Sequence, residues 1–185
     1  MKKANLFNLL LLSITISTPV EAVEVGDIYY DDKSFSAELD LTKRPIGLVY
    51  WVGNSKDYGY IMQLDQNTST LNYYYANQYC NTYYTASTKA GDWRIPDRIE
   101  LIRMGTEQWN GVKNNKFNDL NTKLASIKSN TEQIGRQLYS DSYYWSASYY
   151  GQTFYLNTDG VIDKQNNSNQ GDTSNLAYVR CIMAF

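Results

Sequence analysis

The sequence predicts an α+β fold: a mixed, mostly antiparallel sheet carrying two to three helices. Three stretches predict it. Residues 44–52 are nearly continuously apolar and are followed, after Gly53-Asn54-Ser55, by a second β-rich run at 58–64. The two read as an antiparallel pair whose faces are both covered. Gly91-Asp92-Trp93-Arg94-Ile95 alternates apolar and polar residues, the period of a half-buried strand, and Pro96 ends it because it has no N–H to give to a ladder. Phe117, Leu120, Leu124 and Ile127 recur at helical spacing and form one apolar stripe.

Taken in order, the chain opens on Lys2 and Lys3, an apolar run over 6–16, and Pro19 before Val20-Glu21-Ala22. This is the pattern of a secretory signal peptide cut after Ala22. The competing reading is a short membrane anchor, but a span needs about 20 apolar residues. No later stretch is long and apolar enough to cross a membrane, and no Cys follows the run to take a lipid. The expected organisation is a signal peptide over 1–22, an N-terminal hairpin and extension over 23–43, and one main domain over 44–185.

Residues 25–30 and 34–36 read as strands around the polar turn Asp31-Asp32-Lys33. A helix is expected over about 71–83, where Tyr75 and Tyr79, and Ala76 and Cys80, stand four apart on one side. After Pro96, Asp97 caps a second helix over 97–105. Glu100, three residues on, completes a capping box, and Gly105 is a plausible stop. A polar insertion around Trp109 leads to a third helix over 116–128. Strands follow at 143–148, 153–156 and 161–163, the last two around the turn signal Asn157-Thr158-Asp159-Gly160. A polar loop over 165–175 precedes a closing strand over 176–182. There is no collagen-like repeat, coiled coil or internal repeat.

Composition narrows the function. The 185 residues contain no histidine, which removes Ser-His-Asp and Cys-His catalysis and imidazole metal sites. Loss of Lys2, Lys3 and Glu21 with the signal takes the formal charge from −2 to −3. A weakly acidic chain without a basic run argues against nucleic acid as a partner. Cys80 and Cys181 are the 2 cysteines. In an oxidising compartment an even pair reads as a disulfide; two separate buried thiols are the alternative, and the export signal argues against them. Tyrosine is abundant at 18 residues, and Asn is plentiful. Tyr and Asn are the vocabulary of contact surfaces, and equally a compositional habit.

Four motifs resemble one known family. Gly-Asp-Trp-Arg-Ile-Pro-x-x-x-Glu-Leu at 91–101, with Trp93, Arg94, Pro96 and Glu100, is similar to the G-W-R-L-P-T-x-x-E-L signature of the Lcl C-terminal-domain family, named for the end domain of a bacterial collagen-like adhesin. Ala76-Asn77-Gln78-Tyr79-Cys80 resembles its A-x-x-Y-C helix. Tyr144-Trp145-Ser146-Ala147-Ser148 resembles its Y-W-S-S-T strand, and Tyr178-Val179-Arg180-Cys181-Ile182 its closing Y-V-R-C-V strand. The match runs over about 44–185. Asp97 stands where the family has Thr, an equivalent cap, and Ala147-Ser148 stands for Ser-Thr. The collagen-like stalk is absent, which puts stalk-driven trimerisation in doubt. The resemblance implies a C-type-lectin-like fold and a binding role without enzymatic activity.

Candidate sites follow. Calcium needs six to eight oxygens in one small volume. The Glu-Pro-Asn and Trp-Asn-Asp segments of sugar-binding lectins do not occur, and Asp159, Asp163 and Asp172 have no ligand-like spacing, so no metal or cofactor is expected. Arg94 and Glu100 invite a catalytic reading, but capping explains their spacing. Trp51, Trp93 and Trp145 read as core aromatics. The contact candidates are Tyr149 and Tyr150 beside Gly151, and Asn166, Asn167, Asn169 and Asn175 of the polar loop, because aromatic faces and amides together suit sugars.

The leading expectation is therefore a secreted, non-enzymatic module for adhesion or for recognition of an extracellular glycan or protein ligand. A diversified recognition protein of a diversity-generating retroelement is a second class, since residues 143–178 are rich in Tyr, Asn and Ser. A third is an oxidase related to the formylglycine-generating enzymes, which needs reactive cysteines. The oligomeric state is open.

Overall fold

The computed structural model describes residues 22–105, 116–148, 151–156, 162–166 and 175–185, with backbone alone for 162–166. The order is β1 (Ile28–Tyr30), β2 (Phe35–Ser36), β3 (Pro45–Val52), β4 (Gly59–Gln63), α1 (Tyr73–Thr82), α2 (Arg98–Gly105), α3 (Lys116–Ser126), β5 (Ser142–Ser146), β6 (Gln152–Leu156), β7 (Ile162–Asn166) and β8 (Ile182–Ala184). β2-β1-β3-β4-β8 form one sheet and β5-β6-β7 a second, and all named strand pairs are antiparallel. This is the α+β arrangement, mostly antiparallel with three helices among the described residues, that the sequence predicts. β1 and β2, drawn from the 23–43 segment, extend the edge of the same sheet.

The near-continuous apolar run of β3 has a direct cause. Ile28, Leu48, Met62 and Ile182 stand side by side across β1, β3, β4 and β8, and each is 0% exposed. They pack against Leu101 and Met104 of α2, the Phe117–Leu120–Leu124 stripe of α3, and Tyr144, Phe154 and Leu156 of the small sheet. On the other face Val49, Ile61 and Met183 meet Ala76 and Cys80 of α1, with Trp93 and Trp145. Both faces are covered, so alternation would leave one of them polar against a core. Gly47 allows the close approach here: a Cβ at this position would lie 2.1 Å from Ile61 Cγ2 and 3.5 Å from the Trp93 ring.

Several boundaries differ from the sequence expectation. Gly91 to Ile95 is no strand. Arg94 alone bridges Ile182, donating and accepting at 2.9 Å. Before it, Asp92 closes a turn by accepting from Lys89 N, and after it Pro96 has no N–H, so only one residue can ladder. The burial still alternates: Trp93 and Ile95 are buried and Arg94 is exposed. The closing strand is Ile182–Ala184 rather than 176–182. Ala177 pairs with Leu71 and Tyr178 with Tyr143 and Trp145, so this stretch changes partners before it reaches β4.

α1 begins at Tyr73, because the Asn72 side chain accepts from Tyr75 N at 3.0 Å and caps it. Its buried stripe is Ala76 and Cys80, whereas Tyr75 faces solvent at 56% exposure. Gly105 is the last residue of α2 rather than a stop beyond it. Gln165 and Asn166, assigned to the polar loop by the sequence, belong to β7. Residues 129–132 form a short turn closed by the Lys128–Gln133 bridge. The insertion around Trp109 and the turn at 157–160 lie outside the described residues; β6 and β7 pair as a hairpin on either side of that turn.

Cys80 and Cys181 are joined, with sulfurs 2.07 Å apart and a sequence separation of 101. The bond fastens α1 to the residue before β8. Replacing both cysteines by Ser should lower the unfolding free energy by about 2–5 kcal/mol, read from urea unfolding, because the closed loop is long. An unchanged midpoint would mean that the bond constrains nothing.

Candidate functional site

The central motif is a structural device. Asp97 Oδ1 accepts from Glu100 N at 2.8 Å, and Glu100 Oε2 accepts from Asp97 N at 2.7 Å, a reciprocal capping box. Arg94 lays a two-pronged pair onto the same carboxylate at 2.6 and 2.7 Å. Burial pushes the Glu100 carboxyl up, but Arg94 and the Asp97 N–H outweigh burial and hold it below its ordinary value. With both oxygens engaged, Glu100 is not poised as a general acid or base. Trp93 and Trp145 are 0% and 1% exposed. Their indole N–H groups bond Thr88 Oγ1 at 3.3 Å and the Leu71 carbonyl at 2.6 Å.

Arg180 is wholly buried. Its Nη1 donates to the carbonyls of Gln63 and Leu64 at 2.8 and 3.0 Å, and its Nη2 to Gln66 Oε1 and the Arg136 carbonyl at 2.9 and 2.7 Å. Gln66 Oε1 also accepts from the Tyr144 hydroxyl at 3.2 Å. Burial pulls the guanidinium down to about 10, and it remains charged at neutral pH.

The contact candidates fall partly outside the described residues: Tyr149, Tyr150, Asn167 and Asn169 do so. Asn166 is described by its backbone, as the last residue of β7 opposite Thr153. Asn175 is half-buried, two residues before the Ala177–Leu71 pair.

Their described neighbours converge on one end of the small sheet. Ser148 Oγ accepts from Arg98 N at 2.9 Å, and the Ala147 N–H donates to the Pro96 carbonyl at 2.8 Å, which ties one side of the β5–β6 tip to the start of α2. On the other side Gly151, at φ +99°, sits against the Tyr73 ring, where a Cβ would come within 2.7 Å. Tyr73 in turn packs edge-on to Trp145 at 5.4 Å. The first turn of α1 therefore borders the tip. There Tyr74 and Tyr75, 66% and 56% exposed, form an edge-to-face pair with centroids 5.4 Å apart.

Sequence reading missed this pair. It treated Tyr75 as packing, although the run Tyr73-Tyr74-Tyr75 straight after a capping Asn is a signal that no single buried face can hold all three rings. Among the described residues no group of three His, Cys, Asp or Glu side chains could hold a metal ion. No helix of the described residues is long and apolar enough to cross a membrane.

No family model matches the chain, and no curated protein matches it. Among solved structures the chain is similar to the crystal structure of a fimbrial protein from Bacteroides ovatus ATCC 8483, at TM-score 0.54 and 14% identity. The likeness covers 88% of this chain and 49% of that one, so the chain spans about half the length of that protein. At this identity the likeness is one of fold.

The capping box carries a pH signature. Glu100 has a depressed folded-state value, so its contribution is complete above its ordinary value of 4.5 and is lost as pH falls through the lower folded value. Glu100→Gln should cost about 1–2 kcal/mol at neutral pH, kept modest by the partly exposed Arg94. The gap to wild type should narrow in melts taken progressively below pH 4.5. A gap of constant size across that range would assign the carboxylate no role.

Proposed function

We propose that the chain is an exported, non-enzymatic binding module of C-type-lectin-like fold, which recognises an extracellular glycan or protein ligand at the bacterial surface. The observation that carries this reading is the convergence at one end of the small sheet. The exposed Tyr74–Tyr75 pair, both anchored flanks of the β5–β6 tip, and the two ends of the polar loop at Asn166 and Asn175 meet there on fixed elements. Rigid aromatic area beside amide groups is a recognition surface of low ordering cost. The contact set is Tyr74, Tyr75, Tyr149, Tyr150, Asn166, Asn167, Asn169 and Asn175.

Four further features support it. The solved fimbrial protein of similar fold favours a place at the cell surface. A disulfide suits export. The pairing of Cys80 with Cys181 leaves no free cysteine, which weighs against the oxidase reading. The Gly-Asp-Trp-Arg-Ile-Pro segment and its capping box favour the resemblance to the Lcl C-terminal-domain family.

The test is an array of glycans and matrix proteins probed with the exported protein, with and without a calcium chelator. Binding should survive the chelator and weaken only modestly in salt, since the chain has no basic run. It should fall about tenfold or more in Tyr74→Ala/Tyr75→Ala and in Tyr149→Ala/Tyr150→Ala, a loss of about 1.4 kcal/mol or more. Binding abolished by the chelator, or untouched by both double variants, would overturn the reading.

A further inference from the structure

We infer that a second ligand site, separate from the tyrosine surface, lies in the groove between α3 and residues 133–140, and that it takes a neutral oligosaccharide. The groove has a volume of about 830 Å³. That is within the range of small-molecule sites. It lies beyond the start of β5, at the opposite end of that strand from the β5–β6 tip.

Its walls are held in place by their own amides. Asn121 donates to the Leu138 carbonyl at 3.1 Å and accepts from Leu138 N at 2.7 Å. Gln137 Nε2 donates to the Asn121 carbonyl at 3.3 Å. Gln133 Nε2 lies within donating distance of the Leu124, Ala125, Ile127 and Gly135 carbonyls, at 2.6 to 3.3 Å. The helix and the facing segment are thus stitched into one rigid trough, so a ligand would meet it preformed.

The groups left to a ligand are those a sugar uses. Asn118 and Thr122 stand four apart on the groove side of α3, about 6 Å from one another, close enough for one ring to span both. Neither side chain has a hydrogen bond to another described residue. Tyr139, 36% exposed, borders the groove and is backed by Tyr178 at 4.7 Å, so its ring is fixed as a stacking face. Phe117 and Leu138 form an apolar floor.

Charge decides the class of sugar. Arg136 is the one charged residue that lines the groove among the described residues, and its guanidinium is already paired with Asp65 at 2.6 Å. An acidic glycan would find a single cation there, already offset by Asp65, and a cationic one no carboxylate in the lining among the described residues. A neutral chain of hydroxyls matches the amides, hydroxyls and aromatic ring.

The experiment titrates the exported protein with mannan-, xylan- and glucan-derived tetrasaccharides, with heparin and polygalacturonate tetrasaccharides as acidic probes. Two variants separate the sites. Thr122→Arg fills the groove from an exposed position and should keep the wild-type melting temperature; Tyr139→Ala removes the stacking face. At least one neutral tetrasaccharide should bind wild type, weaken about tenfold or more in both groove variants, and be unchanged in Tyr149→Ala/Tyr150→Ala. Neutral binding that survives both groove variants overturns the groove while leaving the surface-module reading intact. An acidic probe that binds best and is lost with Thr122→Arg overturns the neutral class. No neutral binding to wild type overturns the inference, and the surface reading then stands or falls on its own array.

Discussion

The structure depends on one buried cation. Taking a guanidinium out of water costs several kcal/mol even after relaxation. Arg180 has no carboxylate bonded to it to offset that cost; its Nη1 and Nη2 donors meet three backbone carbonyls and one side-chain amide oxygen, while the buried Nε has no partner among the described residues. Charge-assisted bonds contribute about 1.5–3 kcal/mol each, so four of them are of the size needed. The bonds come from segments that no local structure brings together: the end of β4 at Gln63 and Leu64, the loop at Gln66, and Arg136 after α3. The favourable sum exists only when all of them are in place. Arg180 therefore acts as a test of assembly, closing the joint between the large sheet, the small sheet and the chain end.

The rest of the frame follows from that joint. Tyr144 of β5 shares Gln66 with Arg180 and receives the Tyr139 N–H at 2.7 Å, which sets the start of the small sheet. Burial raises the Tyr144 hydroxyl to about 12, so it stays a neutral donor across the physiological range. One residue past Arg180, Cys181 bonds α1, and the next residues become β8. The exposed Tyr74 and Tyr75 are carried by α1, an element fixed in this way. Their rings lose little freedom on binding, and the proposed recognition draws on that.

How much of this the sequence carried depended on how local the cause was. The Asp97–Glu100 box was legible because two residues three apart decide it. The α3 stripe was legible because four apolar residues share one helix face. The covered faces of β3 were legible from an unbroken apolar run. The shape of the closing segment was not, because Ala177, Tyr178 and Ile182 each answer to a different partner far away in sequence. Arg180 was noticed as a motif position, but nothing in Tyr-Val-Arg-Cys-Ile says that the charge is buried. Of the proposed contact surface, the polar loop and the Tyr149–Tyr150 pair could be picked out by composition. The exposed Tyr74–Tyr75 pair could not be placed beside Gly151, since that nearness rests on Gly151 against Tyr73 and Trp145 against Leu71.

Arg180→Met tests the central claim most directly. Met is apolar and fills much of the same space, so the change removes the donors and leaves buried carbonyl oxygens without them. The account predicts a loss of about 3–5 kcal/mol in unfolding free energy, as for breaking a buried polar network, with Cys80 and Cys181 still joined in the purified variant. A variant as stable as wild type would contradict it, and would make the disulfide and the apolar rows sufficient to hold the fold.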